Sequence, residues 1–386
     1  MTTSTKAGIL TEAGQLLANL IHIDSGNPDL VPGAAGESEI AAFLEDWFKA
    51  EGFECHWLEA TQGRPSVVGI SRGTGGGKSL MFNGHIDTVS LASYHGNPTD
   101  PVVRDGNMYG RGSFDMKGGI AAMMVAAKRA RAAGHAGDII VACVADEEAA
   151  SMGTEEVLEH FTADAGLIIE PSYLQVTMAH KGFVWFDVTI HGRAAHGSRP
   201  ELGIDAIAKA GHFLVALEEY GNDLALKAHP VLGPGTVHAS HISGGEEASS
   251  YPAECRITIE RRTVPGEALD TVQQELVDIL ERLERDVEDF SWTLAAGLSR
   301  QPFQADPAAA ISQIALRHIT SALGKPPVIR AEPFWTDCAL LADAGIPCLL
   351  FGLDGDGAHA ATEWITLESL EIVTSVLTDI ALDFCN

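Results

Sequence analysis

The sequence predicts an α/β layer architecture in which one domain is interrupted by a second, inserted domain. Three observations predict it. Apolar runs suited to buried strands alternate with helix-period segments through the first part of the chain. Near His180 the pattern changes to half-exposed strands and amphipathic helices in the order β-α-β-β-α-β, a ferredoxin-like unit. From about Pro307 the first pattern returns, and 386 residues suffice for two domains.

Taken in order, "TEAGQLLANLIHI" has helical spacing and runs into the breaker-rich "DSGNP". "ESEIAAFLEDWFKAEGF" is a second amphipathic helix, stopped by Gly52. Strands follow at "PSVVGIS" and "SLMFNGHID", joined by "RGTGGGKS". A phosphate-binding loop is excluded there, because Arg72 stands where glycine is required and a strand rather than a helix follows Ser79. A hairpin-like turn is the expectation. After the loop "YGRGSFDMKGG" come the helix "IAAMMVAAKRARAAG", capped by Gly134, and the strand "DIIVACVAD". Helix "TEEVLEHF" and strand "AGLIIEPS" close the first segment. The insert reads as strand "GFVWFDVTIHG", helix "GIDAIAKAGHFLVALEEY", strands "TVHASHISGG" and "AECRITIERRTV", helix "GEALDTVQQELVDILERLERD" and strand "FSWTLAAGL". Helices "AAAISQIALRHITSAL" and "TDCALLADAG", strand "IPCLLFG" and a terminal helix complete the chain. The expected boundaries are 1–181 and 299–386 for the split domain and 182–298 for the insert.

Composition narrows the function. With 25 basic against 53 acidic residues, the formal charge is −28. Such a surface repels phosphate backbones, so nucleic-acid and anionic-membrane partners are not expected. The six cysteines form no CxxC pair and several sit in apolar runs, as free buried thiols do. "MTTSTKAGIL" lacks the features of a signal peptide, and no apolar run approaches the roughly 20 residues of a membrane span. A cytoplasmic protein is expected.

Potential chemistry gathers at strand exits. In "SLMFNGHIDTVS", His85 and Asp87 are two residues apart and share a face on an extended chain. The C-terminal ends of strands are where open sheets place ligand sites. Asp115 lies in the next loop, Glu147 and Glu148 follow one strand, Glu170 another, and His359 follows the last. Each alone has a plain structural explanation: a helix N-cap for Asp115, a solvated strand end for Glu170, a surface position for His359. Together, acids converging on one cleft repel unless cations neutralise them.

The segments "GHIDTV", "GRGSFDMKGG", "DEE", "EPS", "GRAAHGSRP", "RRTVPGE" and "GDGAHAATEW" resemble the M20 metallopeptidases, in that family's order, between residues 85 and 363. That family includes acetylornithine deacetylases, succinyl-diaminopimelate desuccinylases, aminoacylases and glutamate carboxypeptidases. The resemblance implies a di-metal exopeptidase-like α/β catalytic domain whose insert is a lid and dimerisation module. It implies that Asp115 bridges two divalent ions, with His85 and Glu170 completing one site and Glu148 and His359 the other. Zinc suits such ligands, and cobalt or manganese is tolerated. Asp87 would accept the free N–H of His85, and Glu147 would be the general base acting on a metal-bridging hydroxide. Neighbours on an extended chain point apart, which fits one glutamate on metal and one over substrate; Asp146 is read as structural. His196 would stabilise the oxyanion, from the partner subunit of a homodimer, and Arg262 would hold a substrate carboxylate. A polar turn residue and a strand-surface arginine are the structural alternatives for these two.

The chain departs from the family at Phe334-Trp335, where many relatives carry two glycines, and at Thr362. The expected activity is hydrolysis of an N-acyl amino acid, acetylornithine deacetylase-like, with dipeptidase or carboxypeptidase action second. A nucleotide-binding protein and a non-catalytic metal-binding scaffold are the readings from other classes.

Overall fold

The computed structural model describes residues 10–386 and divides them into two compact units. The first runs to Met178 and resumes over Ala305–Arg330 and Thr336–Asn386; the second is Ala179–Gln304 with Ala331–Trp335.

In the first unit four parallel strands lie side by side in the order Ile139–Val144, Leu80–His85, Ala165–Ile168, Cys348–Phe351. All four are buried along their length, as the unbroken apolar sequences "IIVACV", "AGLI" and "CLLF" require for strands covered on both faces. Ser66–Ser71 pairs antiparallel with Ile139–Val144, and Glu54–Leu58 pairs antiparallel outside it. The segment "RGTGGGKS" is therefore not a hairpin. The strands that it joins are separated by Ile139–Val144, which pairs antiparallel with the first and parallel with the second. The helix Gly118–Ala133, rich in alanine and methionine, is buried over most of its surface and packs against the helices Glu12–His22 and Leu367–Phe384. Thr11 and Thr366 cap these last two, each hydroxyl accepting a backbone N–H, a contribution of about 1 kcal/mol per cap.

Several short strands escape the periodicity argument. Val102–Arg104, Asn107–Tyr109, Gly355–Asp356 and Trp364–Thr366 form a small antiparallel sheet of their own.

The second unit contains the four long strands and two long helices expected of the insert. Its antiparallel sheet has the order Thr236–Gly244, Glu254–Thr263, Gly182–His191, Ser291–Arg300. Every second residue of Gly182–His191 from Val184 to Ile190 is buried, and these side chains meet Phe213 and Leu276 of the two helices in one core. The unit is wider than the 182–298 expected, because Phe303–Gln304 pairs with Ala179 and His180, and the Trp335 indole donates to the Gln301 carbonyl (3.1 Å). Among the described residues, no helix is long and apolar enough to cross a membrane.

Candidate metal centre

The parallel register brings the chemistry together. His85 is level with Val144, so the end of one strand lies beside the residues that lead into Glu147 and Glu148. On the other flank Ala165–Ile168 ends just before Glu170, and the loop after Cys348–Phe351 carries His359. Asp115 lies in the turn that opens the helix Gly118–Ala133. That turn is fixed to the strand end by Met116, whose sulfur accepts the His85 backbone N–H at 3.2 Å.

Asp115 stands between two histidines and divides its oxygens between them. Its Oδ1 is 3.1 Å from His85 Nε2 and its Oδ2 is 3.2 Å from His359 Nε2. Glu170 Oε1 lies 3.4 Å from the same His85 nitrogen, and Glu148 Oε2 lies 3.0 Å from the same His359 nitrogen. Donor atoms ~3.3 Å apart are what a tetrahedral ion with bonds of ~2.0–2.1 Å requires of its ligands. Donor atoms of His85, Asp115 and Glu148, and separately of His85, Glu147 and Glu170, lie within 4.8 Å of one another.

The electrostatics fit cations. Burial and then the charge of Glu170 push the Glu147 carboxyl well above the ordinary range, and burial does the same for Glu170. Burial, and next the charge of Asp115, raise Glu148 to about 7. Asp115 goes the other way: burial opposes its ionisation, but the bonds to His359 and His85 outweigh that. Hydrogen bonds to Asp115 and Glu148 lift His359 to about 10. Glu148 Oε1 is moreover buried with no hydrogen-bond partner. Imidazole nitrogens, crowded carboxylates and an orphaned carboxylate oxygen form a donor set that suits divalent ions.

One expectation gains detail and one is corrected. His85 Nδ1 lies 2.9 Å from the backbone carbonyl of Asp87 and 3.5 Å from its carboxylate, so both oxygens of this residue face the ring N–H and set its tautomer. The Asp87 carboxylate also accepts the backbone N–H groups of Glu147 (3.2 Å) and Glu148 (3.3 Å). The Glu147-Glu148 pair, by contrast, is not extended. Asp146 has φ +69° and its carbonyl accepts from Ala149, Ala150 and Ser151, so the chain turns and both glutamates face the cluster.

Sequence reasoning missed the buried Glu363 as a functional residue. Its Oε1 accepts the N–H groups of Phe114 and Asp115, and its Oε2 those of Gly112 and the Arg111 guanidinium, all at 2.9 Å. It thereby fixes the backbone on which Asp115 stands. The signal was its place in "GDGAHAATEW", four residues past His359.

His196 and Arg262 belong to the second unit. His196 is exposed, and the Ser198 backbone N–H donates to its Nδ1 at 3.2 Å, which leaves the proton on Nε2. Arg262 Nε and Nη2 donate to the two oxygens of Glu260 at 2.7 and 3.2 Å, and its guanidinium lies over the Phe183 ring. Its neighbour Arg261 is fully buried, as alternation on a strand requires.

A model of peptidase family M20/M25/M40 matches residues 81–383. The N-formyl-4-amino-5-aminomethyl-2-methylpyrimidine deformylase of Bacillus subtilis (strain 168) is 27% identical over 391 residues, covering 92% of this chain and 91% of the relative. The acetylornithine deacetylase of Vibrio vulnificus (strain CMCP6) is 31% identical over 259 residues, covering 64% of this chain and 67% of the relative. Of solved structures, a tripeptidase from Staphylococcus aureus matches with a TM-score of 0.80 at 22% identity, over 98% of this chain and 100% of that one. A dinuclear metal-binding peptidase of the M20 family from Bacillus subtilis matches with a TM-score of 0.75 at 16% identity, over 97% of each chain. At such identities these structures speak for the fold alone.

Proposed function

This chain belongs to peptidase family M20/M25/M40, and we infer from that membership and from the cluster at the strand ends that it is a two-metal amidohydrolase cleaving an N-acyl amino acid. The observation that carries the reading is the division of Asp115 between His85 and His359, each with its own glutamate. In this reading His85 and Glu170 would hold one ion, Glu148 and His359 the other, and Asp115 would serve both. Zinc is the proposed metal, with cobalt or manganese as substitutes. When bound, the ions supply Lewis-acid polarisation of the scissile carbonyl and acidification of water.

Glu147 takes the proton of the attacking water and delivers it to the leaving amine nitrogen. Burial and the charge of Glu170 raise the proton affinity of its carboxylate, which makes the ionised group a stronger base. Asp87 keeps the Glu147-Glu148 turn in place through two backbone hydrogen bonds. The Nε2–H of His196 is the proposed donor to the oxyanion of the tetrahedral intermediate. Arg262 is the proposed partner of the substrate carboxylate, with Glu260 steadying its Nε side.

Acetylornithine deacetylase-like action is the leading assignment. Dipeptidase or carboxypeptidase action on small peptides is the second reading, which the peptidase family of the chain supports. The test is a panel of N-acetyl, N-succinyl and N-formyl amino acids, their α-amides, and dipeptides, assayed with zinc, cobalt and manganese. The reading expects an N-acyl amino acid to be the best substrate, and Arg262→Ala to raise KM for acids more than for amides. Peptides alone being cleaved would select the second reading, and no hydrolysis in metal-saturated protein would overturn both.

The proposed assembly is a homodimer in which His196 serves the partner's site. Mixing Glu147→Ala and His196→Ala proteins under subunit exchange should then restore about a quarter of wild-type activity, since half the dimers would hold one intact site. No recovery in exchanged hybrids would assign His196 to its own subunit.

A further inference from the structure

Behind the metal centre lies a buried ionic cluster whose anchors precede the family-matched segment, which begins at residue 81. Arg64 is at its middle. Its Nε and Nη2 donate to the two oxygens of Glu37 at 2.8 Å each, its Nη2 also reaches Asp146 Oδ1 at 2.6 Å, and its Nη1 pairs with Asp29. Glu37 and Asp146 are fully buried and Arg64 nearly so. A buried guanidinium with a two-pronged carboxylate partner is a rigid fixture, since neither group can swing without stranding a charge.

Asn27 connects this fixture to the site. Its side-chain N–H₂ donates to Asp146 Oδ1 at 3.1 Å and to Asp87 Oδ2 at 2.7 Å. Asp87 in turn accepts the backbone N–H groups of Glu147 and Glu148. The segment holding Asn27 is itself tied to the strand exit, where the Asn27 N–H donates to the Thr88 carbonyl at 2.9 Å and the Thr88 N–H to that of Ser25 at 3.0 Å. The amide of Asn27 thus separates two carboxylates that would otherwise face each other in the dark of the fold. An apolar side chain there supplies no donor, and a carboxylate adds a third like charge.

We propose that Asn27, held by the Glu37–Arg64–Asp146 cluster, is a positioning residue that fixes the Glu147-Glu148 turn through Asp87 and so tightens the protein's hold on its metals. The inference rests on the two-metal reading above, and its test reads metal retention rather than turnover alone. Metal-loaded wild type and Asn27→Leu, which keeps the branching of the side chain and removes the donor, are titrated with a chelator. The concentration that strips half the metal should fall severalfold, up to about 10-fold, in the variant, the low end of the cost of losing a group that bonds a metal ligand directly. In the metal-saturated variant kcat should fall while KM for the best substrate stays within about twofold. Arg64→Lys, which keeps the charge and loses the fork, should shift the chelator curve in the same direction by less, and it carries the test if Asn27→Leu does not fold. A folded variant with the wild-type chelator curve, whatever its melting temperature, would overturn the positioning role. A wild-type protein that retains no metal would overturn this inference together with the reading beneath it.

Discussion

Glu147 and Glu148 are neighbours in the chain, both beside His85, yet the proposed chemistry needs different things of them. Glu148 has an imidazole at 3.0 Å and an oxygen without a partner, the surroundings of a ligand. Glu147 shares its surroundings with Glu170, whose charge, after burial, raises the proton affinity of the carboxylate, as a base requires. Glu147→Gln is therefore expected to retain metal near the wild-type level while kcat falls by at least ~10²-fold, the low end of what a general base contributes. Metal analysis beside turnover checks this, and a variant that loses metal but keeps turnover in metal-saturated buffer would reverse the two roles. The sequence displayed most of these residues because His85, Glu147, Glu148 and Glu170 sit at the ends of apolar runs. It hid Glu363 and Asn27, whose work is done on partners 248 and 119 residues away. It also misled on the Glu-Glu pair, since an αL residue at Asp146 turns a chain that alternation alone would have kept extended.

The strands and helices that carry the ligands are held together at a few close approaches. Gly119, in the first turn of Gly118–Ala133, is one of them. A Cβ there would lie 2.4 Å from the Ile169 carbonyl oxygen, on the segment that leads to Glu170. Alanine in a helix normally adds about 1 kcal/mol over glycine. Here Gly119→Ala is expected to destabilise by ~1–3 kcal/mol, as an overpacked site does, and to loosen metal binding by parting Asp115 from Glu170. Denaturant unfolding of the metal-loaded protein measures it, and a stabilised variant would show that the two elements are free to separate. The long elements were readable because burial on both faces leaves an apolar run and a half-buried strand leaves alternation. Strands of two or three residues, such as Phe303–Gln304, leave no period to detect, so nothing local in the sequence marks the edge of the second unit there. The order of strands was equally hidden, since nothing local says that Ile139–Val144 intervenes between Ser66–Ser71 and Leu80–His85.

The chain as a whole carries a formal charge of −28, and Asp115, Glu147, Glu148 and Glu170 add a local concentration of acid around two imidazoles. Such a cluster is unfavourable in any fold unless cations offset it, so the protein's stability and its proposed chemistry depend on the same ions. Two buried acids elsewhere sharpen the contrast: guanidinium groups and backbone N–H groups hold Glu37 and Glu363. The most direct test is therefore a count of ions. Chelator-treated protein is titrated with cobalt(II) and the visible absorption of the bound metal is followed together with hydrolysis of the best N-acyl substrate. Absorption that saturates at two equivalents per chain, with activity rising to its maximum over the same range, is the predicted result. Saturation at one equivalent, or full activity with no metal bound, would contradict a centre built on Asp115 between His85 and His359.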